Sequence, residues 1–129
     1  MNVFLVEDNE DTAAALGALF ELEGIGFRSA RSGAEALHAF RDSTAGRADV
    51  LMIDLLLPDM PGYRLVQELA SGSSLPPIVL HSAASPTDLS AAADAIGAVA
   101  ILRKPCNPRE LVETVRRAAV PLESGAPVI

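Results

Sequence analysis

Val50-Leu51-Met52-Ile53-Asp54-Leu55-Leu56-Leu57-Pro58-Asp59-Met60-Pro61-Gly62 is the stretch on which the fold turns. Its first four residues are apolar without alternation, the pattern of a strand buried on both faces of a sheet. Asp54 follows at once. Pro58, Pro61 and Gly62 then make the connection irregular before a helical pattern from about Tyr63 to Ala70.

The same strand-then-helix unit recurs on either side. Upstream, Asn2 to Val6 reads as a strand and Thr12 to Leu22 as a helix stopped by Gly24 and Gly26; Gly26 to Ala30 is a weaker strand. Ser32-Gly33-Ala34-Glu35 has the form of a capping box and opens a helix through Phe40. Downstream, Ser71 to Pro77 is a loop, Ile78 to Leu80 a strand, and Pro86 to Ile96 an Ala-rich helix ended by Gly97. Ala98 to Leu102 is the fifth strand, and a last helix runs from Pro108 at its first turn to Ala119, with Pro121 ending it. Strict alternation of this kind predicts an α/β domain with a parallel sheet and helices on both faces. For five such units the expected architecture is the flavodoxin-like (βα)5 order 2-1-3-4-5, whose ligands sit at the carboxyl ends of the strands. Residues 1–120 are read as one domain, and residues 121–129 as a tail or a truncated linker.

Composition narrows the class. The 129 residues suit one hydrophobic core, and a net charge of −7 speaks against a general nucleic-acid binder. The single cysteine, Cys106, cannot form an internal disulfide, which fits a reducing compartment. With no signal segment and no apolar run long enough to span a bilayer, a cytoplasmic domain with no membrane role is expected.

Residues with chemical potential collect at the strand ends. Glu7 and Asp8 follow the first strand, Asp54 the third, Ser82 the fourth and Lys104 the fifth. In the expected order these side chains meet at one edge. Two charges about 4 Å apart interact by roughly 4 kcal/mol at an effective dielectric of about 20, so three clustered acids call for a cation. An oxygen-only ligand set with room for waters suits Mg²⁺. A carboxylate nucleophile would then have its metal on one flank and the Ser82 and Lys104 donors on the other. Crowding also predicts that Asp54→Asn or Asp8→Asn stabilises the metal-free protein by roughly 1–3 kcal/mol.

Val6-Glu7-Asp8-Asn9, Asp54 to Gly62, Ser82-Ala83 and Lys104-Pro105, in this order and each at a strand end, resemble the response-regulator receiver family from Asn2 to about Ala119. The resemblance implies a two-component signalling module that catalyses its own aspartyl phosphorylation and dephosphorylation, rather than an enzyme acting on other substrates. Asp54 would be the phosphoacceptor. Asp8 and Asp54 would bind Mg²⁺ directly, Glu7 would do so through a water, and Leu56 would contribute its backbone carbonyl. Ser82 and Lys104 would hold the phosphoryl oxygens, with Ala83 beside Ser82 and Pro105 aiming Lys104 through a cis bond. The implied partners are a sensor histidine kinase or histidine phosphotransfer protein, and downstream a protein partner or a missing effector domain. A homodimer through the fourth helix, fifth strand and fifth helix belongs to the same expectation. Ile101 stands where the family commonly has an aromatic switch residue, so ring rotation cannot be the readout. That feature favours the alternative of a receiver-fold module that docks without phosphorylation; the intact acid, hydroxyl and lysine set opposes it.

Other readings of the polar residues are weaker. A haloacid-type phosphatase needs a second acid two residues after its nucleophile, where this chain has Leu56; an FMN carrier lacks its phosphate loop. His81 is expected to point away from Ser82 because successive strand side chains alternate faces. His38 reads as partly exposed packing and Cys106 as inert.

Overall fold

A computed structural model of the protein describes residues 1–42, 48–71 and 74–120. The elements run β1 (Asn2–Val6), α1 (Glu10–Leu22), β2 (Gly26–Ala30), α2 (Gly33–Arg41), β3 (Val50–Ile53), α3 (Gly62–Ala70), β4 (Ile78–Ser82), α4 (Pro86–Ile96), β5 (Ala100–Arg103) and α5 (Pro108–Ala119). All strand pairs are parallel, and the sheet order is β2-β1-β3-β4-β5, the flavodoxin-like order expected.

Strand alternation splits the interior into two cores. Phe4, Val6, Leu51, Ile53, Ile78 and Leu80 point to one face and pack against Ala36 of α2, Leu65, Val66 and Leu69 of α3, and Leu89 and Ala92 of α4. Val3, Leu5, Val50, Met52 and Val79 point to the other, against Leu16 and Phe20 of α1 and Leu111, Val112 and Val115 of α5. Thus α1 and α5 cover one side and α2, α3 and α4 the other. Apart from exposed Asn2, the three central strands are buried throughout, which is why their sequences show no alternation. At the sheet edge, β2 buries only Ala30, hence its faint signature.

Element ends differ from the sequence reading for local reasons. α1 begins at Glu10 rather than Thr12, because Asn9 is the cap and its side chain accepts the Thr12 amide at 2.9 Å. The Ser32 capping box is only half formed. Ser32 Oγ accepts from Glu35 N at 3.1 Å, but the Glu35 carboxylate turns to Arg31 N instead of Ser32 N. β4 continues two residues further, to Ser82. β5 starts at Ala100 rather than Ala98, because Ala98 N still closes the end of α4 on Ala93 O (3.0 Å) behind a left-handed Gly97. Pro121 and the expected tail of residues 121–129 lie outside the described residues, as do residues 72 and 73 of the Ser71–Pro77 loop.

Candidate functional site

The strand ladders carry the polar residues to one edge. Glu7 N donates to Ala30 O, Asp54 N to Val6 O and Lys104 N to Ser82 O. Each is therefore held by the backbone of a neighbouring strand. One carboxylate oxygen from each of Glu7, Asp8 and Asp54 lies within 4.8 Å of the others. Glu7 and Asp54 are buried, while Asp8 stands exposed at the mouth.

Lys104 binds this cluster together. Its Nζ donates to Asp54 Oδ2 at 2.8 Å and lies 2.7 Å from Glu7 Oε1. The other oxygens are held from the main chain: Leu56 N donates to Asp54 Oδ1 at 2.9 Å, and Asn9 N to Glu7 Oε2 at 3.2 Å. Burial by itself would make the ammonium easier to deprotonate. The contacts with Asp54 and then Glu7 outweigh it, and the Lys104 pKa lies above its ordinary 10.5. Two of the three acids thus already share a cation. The stabilisation expected from Asp54→Asn largely disappears, since that change also removes a charge-assisted hydrogen bond.

Ser82 is fully buried at the end of β4, and its Oγ accepts from Ala84 N at 3.3 Å. The Lys104–Pro105 bond is cis, as the resemblance implied. Ile101 lies on β5 opposite Leu80 and is 39% exposed. Leu56 turns its side chain out, 58% exposed. The donor set facing the mouth is all oxygen. Bonds of about 2.1 Å to an octahedral hard cation place neighbouring ligand oxygens roughly 3 Å apart and opposite ones roughly 4 Å apart. The acidic cluster needs only small side-chain adjustments to meet that spacing.

His81 is on the opposite face of β4 from Ser82, as expected, yet it is not remote from the acids. Its Nδ1 is buried with no hydrogen-bond partner among the described residues, 4.0 Å from Glu7 Oε1. The ring also lines a cavity of about 540 Å³ between α1 and α5, shared with Leu16, Ala83, Lys104 and Cys106. Burial first, then the Lys104 charge, lowers the imidazole pKa from 6.5 to about 4. A folded-state value below the unfolded one means that the unfolded chain binds the extra proton between them. Stability is therefore fully present above pH 6.5 and falls as pH drops toward 4. The loss should be on the order of 1–3 kcal/mol. His81→Leu should flatten that part of the pH–stability curve in urea unfolding; an unchanged slope would show that other groups carry it.

Sequence reasoning assigned no role to Asp59. Its Oδ1 accepts from Gly33 N and its Oδ2 from Ala34 N, both at 2.9 Å, across 26 and 25 residues. These contacts, the Gly33 amide first, lower its pKa from 3.8 despite some desolvation, so the bridge is complete above that pH and weakens only as pH falls below it. A lone Asp in a loop gives no sequence signal for so distant a pairing. His38 is exposed on α2, beyond the partial exposure expected. Cys106 is half-buried, and burial followed by Glu110 raises its thiol pKa, consistent with the inert reading. Among the described residues no helix is long and apolar enough to cross a membrane.

Three comparisons bear on this geometry. A family model described as response regulator receiver domain matches residues 3–116. The sensory transduction protein RegX3 of Mycobacterium tuberculosis (strain H37Rv) is 34% identical over 115 residues, covering 89% of this chain and 49% of RegX3. The regulatory protein AtoC of Escherichia coli is 29% identical over 116 residues, covering 90% of this chain and 24% of AtoC. The chain thus spans about half of RegX3 and about a quarter of AtoC. Among solved structures, the chemotaxis protein CheY4 of Vibrio cholerae superposes with a TM-score of 0.80 at 26% identity, over 91% of this chain and 97% of CheY4.

Proposed function

The chain belongs to the response regulator receiver family, and on that premise we propose that Asp54 accepts a phosphoryl group from a phosphohistidine of a sensor kinase or phosphotransfer protein. The observation that carries this reading is the buried Asp54 carboxylate, paired with Lys104 at 2.8 Å and clustered with two further acids at the strand ends. Asp8, Asp54 and the Leu56 carbonyl would hold Mg²⁺, with Glu7 acting through a water. When bound, the ion neutralises phosphoryl charge and aligns the incoming group.

The transfer balances without a further reactant. An Asp54 carboxylate oxygen forms the new O–P bond, and the P–N bond of the donor breaks. The leaving imidazole nitrogen keeps the electron pair. Lys104 moves its charge from the free carboxylate to a phosphoryl oxygen, and the Ser82 hydroxyl can rotate to donate to another. Pro105 aims Lys104 and Ala83 leaves the approach open. With Ile101 in place of an aromatic residue, the change in partner affinity runs through Ser82 and the α4–β5 surface. The partner is a downstream protein or an effector domain, and a homodimer through α4, β5 and α5 would use the same surface. A cytoplasmic place fits the single cysteine and the phosphoryl donors. Residues 1–120 form the receiver unit in this reading.

The test is intact-mass measurement after incubation with acetyl phosphate, with and without Mg²⁺. A Mg²⁺-dependent phosphoryl adduct that is absent from Asp54→Asn is expected. No adduct on the wild-type chain would replace this reading with a module that docks without phosphorylation. The phosphoryl group should also be long-lived: the side chains two residues beyond Asp54 and Ser82 are Leu56 and Ala84, and neither can orient an attacking water by hydrogen bonding. Loss of the label within seconds would contradict that expectation.

A further inference from the structure

The loop between β3 and α3 carries the Leu56 carbonyl, between a buried Leu55 and a Leu57 that packs partly buried against the core. Leu56 is 58% exposed, and Pro58 and Asp59 are exposed as well. The loop's two arms meet in the antiparallel bridge of Leu56 with Pro61, and Leu56 N donates to Asp54 Oδ1 at 2.9 Å. Two hydrogen bonds join the tip to α2. Asp59 accepts both Gly33 N and Ala34 N at 2.9 Å, and Met60 lies flat over Gly33. A Cβ at Gly33 would stand 2.6 Å from Met60 Sδ, so the Met60 side chain fills the space above a bare Gly33.

α2 is a firm reference body. Ala36 is fully buried, and Phe40 meets Phe4 of β1 edge to face at 5.3 Å. Its first amides are fully accounted for: Asp59 takes Gly33 N and Ala34 N, Ser32 Oγ takes Glu35 N, and Ser32 O takes Ala36 N. Ser32 and Asp59 therefore do the same job for the helix. Only Asp59 also reaches the loop.

Taking the Mg²⁺ reading above as given, we propose that Asp59 is a positioning residue. Its bidentate bridge to α2 holds the β3–α3 loop so that the Leu56 carbonyl faces the cation site before the cation arrives. The bridge acts through the loop and touches neither the phosphoryl group nor the ion. Pre-set ligands bind more tightly because less freedom is lost on binding; removing an outer support typically weakens metal affinity tenfold or more.

The shared cap chemistry of Asp59 and Ser32 supplies the control. Mg²⁺ would be titrated into the unphosphorylated 129-residue chain and followed by backbone amide NMR shifts, with melting temperatures recorded on the same samples. Asp59→Ala should raise the Mg²⁺ Kd roughly tenfold. Asp59→Asn keeps one carbonyl acceptor and should fall between Asp59→Ala and wild type, with little loss of folding. Ser32→Ala should lower the melting temperature comparably to Asp59→Ala while leaving the Mg²⁺ Kd near that of wild type. Wild-type affinity in Asp59→Ala would overturn the proposal. So would equal weakening in Ser32→Ala, because the effect would then belong to helix capping alone. A wild-type chain that shows no Mg²⁺ shifts would overturn the metal reading itself, and this inference with it.

Discussion

Lys104→Met should lower the stability of the metal-free protein by about 2–4 kcal/mol at neutral pH. Two opposing terms decide the sign. Freeing a long, partly buried side chain returns rotamer entropy, on the order of 1–2 kcal/mol. Against that stand Glu7 and Asp54, 1% and 4% exposed, which would be left without their shared counter-charge. Removing one partner of a buried ion pair commonly costs about 3–5 kcal/mol, and here two acids lose the same partner. The Lys104 side chain is 21% exposed, so water already reaches this edge of the cluster and supplies part of the compensation. Urea unfolding in the presence of a chelator measures the loss. Millimolar Mg²⁺ should recover much of it by binding only the folded state, and Lys104→Met/Asp54→Asn should be more stable than Lys104→Met alone. Equal stability of Lys104→Met and wild type in chelator would mean that the two acids are solvated better than their burial indicates.

Gly62→Ala should lower stability by about 1–3 kcal/mol and slow phosphorylation by at least an order of magnitude. Helix propensity alone predicts the reverse, because Ala is favoured over Gly in helices by about 1 kcal/mol. Packing overrides that preference. A Cβ on Gly62 would lie 2.6 Å from the Asp54 carbonyl oxygen and 3.0 Å from Leu55 Cα. Neither is free to retreat, since Asp54 N is bonded to Val6 O and Leu55 O accepts Gly62 N. The displacement would fall on Asp54, the proposed phosphoacceptor. Gly17→Ala makes the useful contrast. Its Cβ would meet Phe27 Cζ at 2.5 Å, but that ring is 40% exposed and can swing aside, so a much smaller effect is expected. Melting temperature and the rate of acetyl-phosphate adduct formation test both variants. A Gly62→Ala protein that melts and phosphorylates like wild type would show that the α3 start can move away from Asp54.

The parts of this architecture that the sequence makes legible are those governed by local rules. Unbroken apolar runs at Val3–Val6, Val50–Ile53 and Ile78–Leu80 mark strands buried on both faces, and the strand-end placement of Glu7, Asp8, Asp54, Ser82 and Lys104 follows from them. Boundaries such as Asn9 capping α1, or Ala98 still belonging to the end of α4, depend on which amide finds which acceptor. Long-range pairings are silent in sequence. Neither the bridge from Asp59 to α2 nor the approach of His81 to Glu7 leaves a spacing or periodicity to read. The place of Lys104 at the strand-end cluster was legible. Its occupation of both Glu7 and Asp54 was not, and that arrangement removes most of the stabilisation expected from relieving acid crowding.

The core between the sheet and the α1–α5 pair joins residues near the two ends of the described chain. Val3, Leu5, Leu16 and Phe20 are covered in part by Leu111, Val112 and Val115, and Arg116 fastens to Glu23 across 93 positions. During biosynthesis that apolar face stays bare until the segment around 108–119 has left the ribosome, whereas the opposite core can begin to assemble from α2, α3 and α4 as they emerge. The nascent chain therefore carries a sticky flank until that segment emerges, and a product cut before Leu111 would be one that chaperones and proteases recognise as unfinished.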